Sequence, residues 1–260
     1  MGKIVSIHSF RGGTGKSNAA ANLAALIALK GKRVGVVDTD IQSPGIHALF
    51  GLDETNMGAT LNDFLHGKCG IEDAAFSVGE KAANVEGRQK LAGRDLWLIP
   101  SSIRGREISR VIREGYDVNR LNEGLQNFIE TKRLDYLLID THPGLNEETL
   151  LSIAISDILL VILRPDTQDF QGTAVTVDIA RSLDVTNLLL MVNKAVPNKY
   201  DYADLKEQIE TSYKAPLTGI LPLNFELADN ASKDLFALRV PDHAWSRELV
   251  KVAESILKVE

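Results

Sequence analysis

A lysine and a serine close a glycine-rich stretch, FRGGTGKS, that spans Phe10 to Ser17. It lies between the apolar run Ile4–Ile7 and the alanine-rich run Asn18–Leu29, so we expect a strand, a loop and a helix in that order. The glycines allow successive backbone N–H groups to converge on phosphate oxygens, and the helix N-terminus adds the positive end of a dipole. Lys16 would neutralise phosphate charge, and Ser17 would offer its hydroxyl to Mg²⁺. The stretch therefore predicts a nucleoside triphosphate as ligand, against the alternative of a glycine-rich turn that binds nothing.

The loop also departs from the general P-loop pattern, which has glycine where this chain has Phe10. A basic residue, Arg11, precedes Gly-Gly-Thr-Gly-Lys-Ser, and this resembles the deviant Walker A loop, K-G-G-x-G-K-[ST], of the ParA/MinD family of P-loop ATPases. Arginine stands where the family usually has its signature lysine. The resemblance implies that Arg11 reaches the phosphates of a second subunit and acts in catalysis with Lys16. It also implies that ATP is held by Gly12, Gly13, Thr14, Gly15, Lys16, Ser17 and Asn18.

Two acids follow a second apolar run, in the sequence VVDTDIQSP from Val36 to Pro44. The pattern predicts a buried strand that ends in Asp38 and Asp40 at the carboxyl edge of a sheet, near the rim of the nucleotide pocket. The segment resembles the D-x-D-x-Q switch I stretch of the same family. The resemblance implies that Asp38 lies near Mg²⁺, through water, and that Asp40 orients or activates the attacking water. A helix cap or a turn is the alternative explanation for these acids.

A third acid ends the apolar run from Tyr136 to Ile139, as in a Walker B strand. Asp140 would hold a metal-bound water, and Gly144 would give the following switch II segment its flexibility near the γ-phosphate. The family usually reads D-x-P-P-G here, whereas this chain has His142 in place of the first proline. The substitution relaxes a rigid turn and adds a titratable group. A surface histidine without a role is the favoured interpretation of His142.

A fourth polar strand end is Asn193, which follows the apolar run from Leu188 to Val192. In the family the corresponding asparagine reads the adenine edge, and a carboxamide can pair with both a donor and an acceptor. The loop around Pro222 would close over the other side of the ring. The resemblance therefore implies that Asn193 and Pro222 complete the ATP site, and that Ser17, Asp38 and Asp140 serve the metal.

These residues need a scaffold, and the chain supplies short β-branched runs that alternate with helical patterns. The predicted strands are Lys3–Ser9, Arg33–Thr39, Asp95–Pro100, Asp135–Asp140, Ile158–Leu163, Asn187–Asn193 and Leu217–Leu221. The predicted helices include Lys16–Leu29, Val118–Lys132, Gln168–Ser182, Asp201–Thr211 and Ala244–Leu257. The alternation predicts an α/β fold, a mostly parallel twisted sheet with helices on both faces, and the resemblance implies a P-loop NTPase of the SIMIBI type. We expect one domain over residues 1–260, with less regular surface insertions at about 51–94.

Composition restricts the class of protein. The formal charge of −6 argues against a surface that coats nucleic acid in general, although a local basic patch is compatible with it. The single cysteine, Cys69, fits a reducing cytoplasm and does not suffice for a cysteine cluster. Iron–sulfur carriers, nitrogenase iron protein and metal-activated arsenite ATPases are therefore disfavoured. The chain has no apolar run long enough for a signal peptide or a membrane span, so we expect a cytoplasmic location.

The sequence says less about partners. Arg104, Arg106, Arg110 and Arg113 cluster, and the last three share one face of a predicted helix, but two glutamates dilute them. A solvated helix face is favoured over a DNA contact. The C-terminal stretch Ser246–Leu257 has a broad apolar stripe that suits docking on the sheet, and no basic amphipathic tail follows it, so direct membrane binding is not expected.

The family resemblance predicts an ATP-driven switch that forms a homodimer with two nucleotides at the interface, separates on hydrolysis and answers to an activating partner protein. Such switches position chromosomes, plasmids, division sites, flagella or other large cargo. Two alternatives stay open. One is a regulatory module that binds nucleotide with negligible turnover, which Arg11 and His142 permit. The other, less favoured, is a small-molecule kinase or ligase resembling dethiobiotin synthetase.

Overall fold

A computed structural model describes residues 2–81 and 88–259. Its central sheet contains β1 (Lys3–His8), β2 (Val34–Asp38), β3 (Phe76–Ser77), β4 (Leu96–Ile99), β5 (Tyr136–Asp140), β6 (Ile158–Leu163), β7 (Asn187–Ala195) and β8 (Leu217–Pro222). The strand order is β3-β4-β2-β5-β1-β6-β7-β8. All neighbours pair in parallel except β3, which runs antiparallel to β4. The predicted α/β class with a mostly parallel sheet is thereby confirmed.

Helices connect the strands and cover the sheet. They are α1 (Lys16–Leu29), α2 (Ile46–Leu49), α3 (Leu61–Leu65), α4 (Val78–Lys81), α5 (Gly105–Glu114), α6 (Val118–Lys132), α7 (Glu147–Ala154), α8 (Thr167–Ser182), α9 (Tyr202–Tyr213), α10 (Phe225–Asp229), α11 (Phe236–Arg239) and α12 (Ala244–Lys258). A 3-10 turn occupies Gln89–Leu91. The helices that the sequence predicts at 16–29 and 118–132 have the predicted bounds.

Apolar cores lie on both faces of the sheet. On one face α1, α2, α11 and α12 pack over side chains such as Val36 and Leu138. On the other face α3 and α6 cover the β2 and β5 side, where Val37 and Ile139 point, and α8 and α9 cover the β6 and β7 side. Successive residues of β2 and β5 point to opposite faces of the sheet. Because both faces are buried, the sequences of these strands are almost entirely apolar.

Helix α1 is alanine-rich because it is buried on nearly all sides. Ala20, Ala24 and Ala28 have almost no exposed surface, and their small side chains allow close approach of the sheet and of α12. The apolar stripe predicted for the C-terminal helix docks on β8 and α1, with Leu249 and Val252 buried. This packing fixes the start of α1, and therefore the glycine-rich loop, against the sheet.

The stretch at 51–94, expected to be irregular, contains α3, β3, α4 and the 3-10 turn, and residues 82–87 within it lie outside the described part. Leu61, Phe64, Val78 and Leu91 from this stretch are buried in the cores. Within residues 2–81 and 88–259, no helix is long and apolar enough to cross a membrane.

Candidate nucleotide site

The glycine-rich loop connects the end of β1 to the start of α1. Gly13 and Gly15 have φ angles of 77° and 89°, which L-residues with a side chain rarely adopt. A Cβ atom at Gly15 would lie 2.5 Å from Asn193 Nδ2, so the loop and the end of β7 approach too closely for any larger residue. The loop therefore needs glycine at this position for both conformation and space.

Lys16, the first residue of α1, points beneath the loop to the end of β5. Its Nζ atom lies 2.6 Å from Oδ1 of Asp140, and both side chains are buried. In the parallel register of β2 and β5, Asp140 is level with Asp38, so the two predicted acids lie side by side. The structure thus brings together the loop lysine and both strand-end carboxylates.

Asp38 is fully buried, and desolvation together with the neighbouring Asp140 raises the pKa of its carboxyl well above the ordinary value, while Lys16 opposes this shift. Its Oδ1 accepts a hydrogen bond from the Asp40 N–H at 3.1 Å. Oδ2 of Asp38 and Oδ2 of Asp140 are buried without hydrogen-bond partners in the described part of the chain. Unpaired carboxylate oxygens suit a hard cation such as Mg²⁺.

No group of three or more His, Cys, Asp and Glu side chains forms a ready-made metal site within residues 2–81 and 88–259. The residues present nevertheless fit Mg²⁺ in the way it is commonly bound, by one or two carboxylates with the remaining positions left to water and to phosphates. Ser17, Asp38 and Asp140 are the protein groups available for this. A magnesium ion at this site would depend on the nucleotide.

Asp40 lies two residues beyond the end of β2 and lines the loop cavity. Its Oδ1 accepts hydrogen bonds from His142 Nδ1 at 2.7 Å and from the Ser43 N–H at 3.2 Å. His142 comes from the segment after β5, and 21% of its side-chain surface is exposed. The sequence favoured a histidine without a role here, and the structure instead gives His142 a carboxylate partner.

Two cavities meet at the start of α1. One, of about 390 Å³, is lined by the glycine-rich loop together with Asp40, Ser43 and Pro143. The other, of about 330 Å³, is lined by Asn193, Lys194, Pro222, Leu223, Asn224, Phe225, Leu227, Ala228, Ala231, Ser232 and Trp245. Gly15 and Asn18 line both. A cavity lined by the backbone of the glycine-rich loop, beside one lined by the aromatic and aliphatic side chains of Trp245, Phe225 and Leu227, matches the phosphate end and the base end of a nucleotide.

Asn193 lies in a bulge of β7, where the pairing with β8 slips between Val192 and Ala195. Its Nδ2 donates to the Thr14 carbonyl at 2.8 Å, and its Oδ1 accepts from the Lys194 N–H at 2.9 Å and from Trp245 Nε1 at 3.4 Å. The side chain is therefore already committed to the loop and to α12. One N–H of its amide remains for a base.

Two further residues contribute to the site and were not predicted from the sequence. Lys194, with a φ angle of 59°, extends its side chain along the loop and donates from Nζ to the Gly13 carbonyl at 2.7 Å. Trp245 is buried in the first turn of α12 beside Asn193. The Asn-Lys dipeptide after an apolar run was a signal for Lys194, whereas Trp245 is distant in sequence and only the packing of α12 brings it here.

Arg11 points away from the loop cavity toward the start of α8. Its Nη1 donates to Gln168 Oε1 and lies 3.7 Å from Asp169 and 4.0 Å from Asp166. About 40% of its side-chain surface is exposed. In the single chain the predicted catalytic arginine is thus bound in cis, outside the site that Lys16, Asp38, Asp40 and Asp140 form.

His8 ends β1 directly beneath the loop. The Thr141 hydroxyl donates to the Ile7 carbonyl at 3.0 Å, so it must accept the hydrogen bond from His8 Nδ1 at 2.9 Å. Burial, with the nearby charges of Lys16 and His142, lowers the pKa of His8 to about 3. His8 is therefore a neutral imidazole in the floor of the site, although the sequence did not single it out.

The arginine cluster lies on α5, away from these cavities. Arg104 pairs with Glu54 at 3.3 Å and Arg110 with Glu114 at 2.8 Å, and these side chains are largely exposed. Half of the four predicted positive charges are thereby paired with acids at the surface.

A nucleotide-shaped pair of cavities, built from a glycine-rich loop between a strand and a helix and from acids on neighbouring parallel strands, defines the P-loop class of nucleotide-binding proteins. Comparison with known proteins agrees. A family model described as an AAA domain matches residues 2–192. Among the curated proteins similar to this chain, two are named as a putative septum site-determining protein MinD and a chromosome partitioning protein ParA. The chain belongs to this AAA-domain family.

Three similar proteins illustrate the relationship. An uncharacterized ATP-binding protein of Methanocaldococcus jannaschii is 27% identical over 99% of this chain and 88% of its own. An iron–sulfur cluster carrier protein of the same organism is 30% identical over 74% of this chain and 59% of its own. The solved structure of the septum site-determining protein MinD of Pyrococcus horikoshii, complexed with Mg-ADP, superposes with a TM-score of 0.79, covers 99% of this chain and 97% of that chain, and is 21% identical.

Proposed function

We propose that this protein is a magnesium-dependent ATPase switch that dimerises when it binds ATP and takes part in positioning or partitioning a large cellular cargo. The observation that carries the proposal is the buried contact of Lys16 with Asp140, beside Asp38 and beneath a glycine-rich loop. These are the groups that binding and hydrolysis of a nucleoside triphosphate require. The MinD of Pyrococcus horikoshii, which shares the fold, was solved with Mg-ADP.

Each residue has a role in the proposed reaction. Lys16 would turn from Asp140 to the β- and γ-phosphates, and loop N–H groups would donate to phosphate oxygens. Ser17, Asp38 and Asp140 would hold Mg²⁺, whose charge offsets that of the phosphates. Asp40 would orient a water molecule for attack on the γ-phosphorus, which breaks the bond to the bridging oxygen and releases ADP and phosphate. Asn193 and Pro222 would hold the base.

The remaining proposals concern the whole chain and its surroundings. We take residues 1–260 as one nucleotide-binding domain that works in the cytoplasm with an activating partner protein. Iron–sulfur transfer, which the names of two relatives indicate for those proteins, does not suit a chain with a single cysteine. The paired arginines of α5 do not favour a nucleic-acid contact, and we propose no direct contact with a membrane.

A second candidate function is a regulatory module that binds ATP and dimerises with negligible turnover. One contact favours it: Arg11 is held in cis by Gln168. A trans arginine that stays bound within its own subunit would slow hydrolysis without preventing binding.

Substitution of the loop lysine tests binding. Lys16→Ala removes the charge that the β- and γ-phosphates need, so ATP affinity should fall by about tenfold or more and ATP-dependent dimerisation should disappear. Isothermal calorimetry with MgATP measures the affinity. Lys30→Ala, at the exposed end of the same helix, is the matched control and should bind as wild type. A Lys16→Ala protein that binds MgATP as tightly as wild type would refute the P-loop assignment.

Substitution of the proposed water-orienting acid distinguishes the two functions. Asp40→Ala should leave ATP binding intact and slow hydrolysis by about tenfold or more, which traps an ATP-bound dimer. Phosphate release and size-exclusion chromatography with ATP measure the two effects. Asp95→Ala, an exposed acid before β4 at the opposite end of the sheet, should change neither. If wild type already releases no phosphate and forms the same persistent dimer, the regulatory module is the better description.

A further inference from the structure

We propose that His142 is a positioning residue that fixes the carboxylate of Asp40 and thereby joins the segment after β2 to the segment after β5. The geometry that points to this is a 2.7 Å contact between His142 Nδ1 and Asp40 Oδ1, made between residues far apart in sequence. The role in turnover rests on the proposed ATPase function, whereas the contact itself does not.

The contact is sheltered from water. The Asp40 side chain is 10% exposed and that of His142 is 21% exposed, so bulk solvent screens their hydrogen bond less than it would at the surface. An ionised carboxylate can only accept hydrogen bonds, so His142 Nδ1 carries the proton and donates it. A hydrogen bond to a charged group under these conditions is strong enough to choose one rotamer of a short side chain.

The two carboxylate oxygens of Asp40 differ in their hydrogen bonding. Oδ1 is occupied by His142 Nδ1 and by the Ser43 N–H. In the part of the chain that the structure describes, Oδ2 accepts no hydrogen bond, and Asp40 lines the cavity beneath the glycine-rich loop. Fixing Oδ1 leaves Oδ2 as the oxygen that can face a water molecule in that cavity.

The segment that carries His142 leads directly into α7. Asn146 caps this helix, because its Oδ1 accepts from the N–H and from the hydroxyl of Thr149, both at 2.8 Å. The His142 carbonyl lies 3.3 Å from the same hydroxyl. A movement of the segment after β5 would therefore move His142 and its contact with Asp40.

Proline, the residue more usual at this position of the loop, has no side-chain donor and could not make this bond. With histidine in place of proline, the segment between β5 and α7 has a less rigid backbone but gains the hydrogen bond from His142 to Asp40. Within the described residues the His142 side chain makes no hydrogen bond to a proposed phosphate or metal ligand, so we expect its effect on turnover to pass through Asp40.

A double-mutant cycle on ATP hydrolysis tests the role. His142→Ala should lower kcat by about tenfold or more, as expected for the loss of one charge-assisted hydrogen bond, with KM for ATP unchanged. His142→Asn, which retains an N–H donor near Nδ1, should recover most of the rate. In an Asp40→Ala background, His142→Ala should cause no further loss. An equal loss in both backgrounds, or an asparagine variant as slow as the alanine variant, would overturn the proposal.

A second cycle needs no catalysis. The urea unfolding midpoint is measured without nucleotide for Asp40→Ala, His142→Ala and the double variant, and the combined shift should be smaller than the sum of the single shifts. His66→Ala, at the end of α3, combined with Asp40→Ala, should give additive shifts. Additive shifts for His142 and Asp40 would overturn the contact. If wild type hydrolyses no ATP, the proposed function fails on that result alone, and this second cycle still decides about His142.

Discussion

At the scale of single residues, the buried end of the site contains two carboxylates, Asp38 and Asp140, and one ammonium group, that of Lys16. Lys16 pairs directly with Asp140, so among the described residues Asp38 has no ion-pair partner of its own, and burial beside Asp140 raises the pKa of Asp38. The imbalance would grow if Lys16 turned toward a phosphate. A bound divalent cation would remove it, which explains why a folded protein retains this unfavourable arrangement.

His8 allows a direct test of the electrostatics of this floor. Its pKa is about 3 in the folded chain and near 6.5 when unfolded, so below pH 6.5 the unfolded state binds a proton that the folded state refuses. Stability should be complete above pH 6.5 and fall by about 1.4 kcal/mol per pH unit as the pH decreases toward 3. Urea unfolding of wild type and His8→Asn at pH 7.5 and pH 5 measures the difference, because other titrating groups cancel between the two proteins. Identical pH dependence would show that His8 is not buried as a neutral imidazole.

The site residues that could be predicted from the sequence are those that belong to a local motif of neighbouring residues. The loop spacing identified Lys16, and apolar runs ending in an acid identified Asp38 and Asp140. His8 and Trp245 could not be found in this way, because their roles depend on contacts with Thr141 and Asn193, far along the chain. A single sequence carries no direct record of such pairs.

At the scale of secondary structure elements, the glycine-rich loop is pressed against α8. A Cβ atom on Gly172 would lie 2.0 Å from Cδ1 and 2.8 Å from Cβ of Phe10. Phe10, which replaces the usual glycine of the loop, therefore packs into a notch that another glycine leaves open. This pairing ties the position of the loop to that of α8.

Filling the notch should disturb the loop. Alanine in place of a helical glycine usually stabilises by up to about 1 kcal/mol, but overpacking against Phe10 should outweigh this and destabilise Gly172→Ala by about 1–3 kcal/mol, with weaker ATP binding. Adding Phe10→Gly should recover both properties. Gly105→Ala, in the first turn of α5 with open space at its Cβ position, is the control. Thermal unfolding and calorimetry measure the effects, and a Gly172→Ala protein that matches this control would contradict the packing.

Elements were predicted well where they are long and buried. Strands β1, β2, β5 and β6 are continuous apolar runs because both faces of the sheet are covered, and the predicted bounds differ by at most one residue. The short elements between 46 and 91 were missed because runs of two to five residues carry too little periodicity. The bulge at Asn193 could not be predicted from the sequence either, because it arises from the pairing of β7 with β8.

At the scale of the whole molecule, the contacts of Arg11 decide whether a second subunit is needed. Its ion pairs with the exposed Asp166 and the buried Asp169 are long, at 4.0 and 3.7 Å, and about 40% of the Arg11 side chain is exposed. Long pairs of an exposed guanidinium contribute about 0–1 kcal/mol. A partner's phosphates, which carry more charge, would therefore compete successfully for the guanidinium. The cis position of Arg11 in one chain is compatible with a trans position in an ATP-bound dimer.

The resemblance to the ParA/MinD family predicts a two-subunit arrangement, and substitution of Arg11 tests it. Arg11→Ala should keep near-normal affinity for ADP, because the phosphate it serves belongs to the other subunit, but should lose ATP-dependent dimerisation. Calorimetry with ADP and light scattering with ATP measure these two properties. Weaker ADP binding by the variant would identify Arg11 as a local residue of its own loop.

Mixing two inactive variants tests the trans arrangement directly. In a heterodimer of Arg11→Ala with Asp40→Ala, the site on the Arg11→Ala subunit keeps its own Asp40 and receives Arg11 from the other subunit. The opposite site lacks both groups. Half of the mixed dimers' sites should therefore be complete, and phosphate release should rise severalfold above that of either variant alone. Arg11→Lys on its own should stay active, since lysine supplies the charge without the planar fork, and it is the matched control for the alanine variant. No gain in the first mixture, when wild type is clearly active, would place Arg11 in cis and remove the catalytic reason for dimerisation.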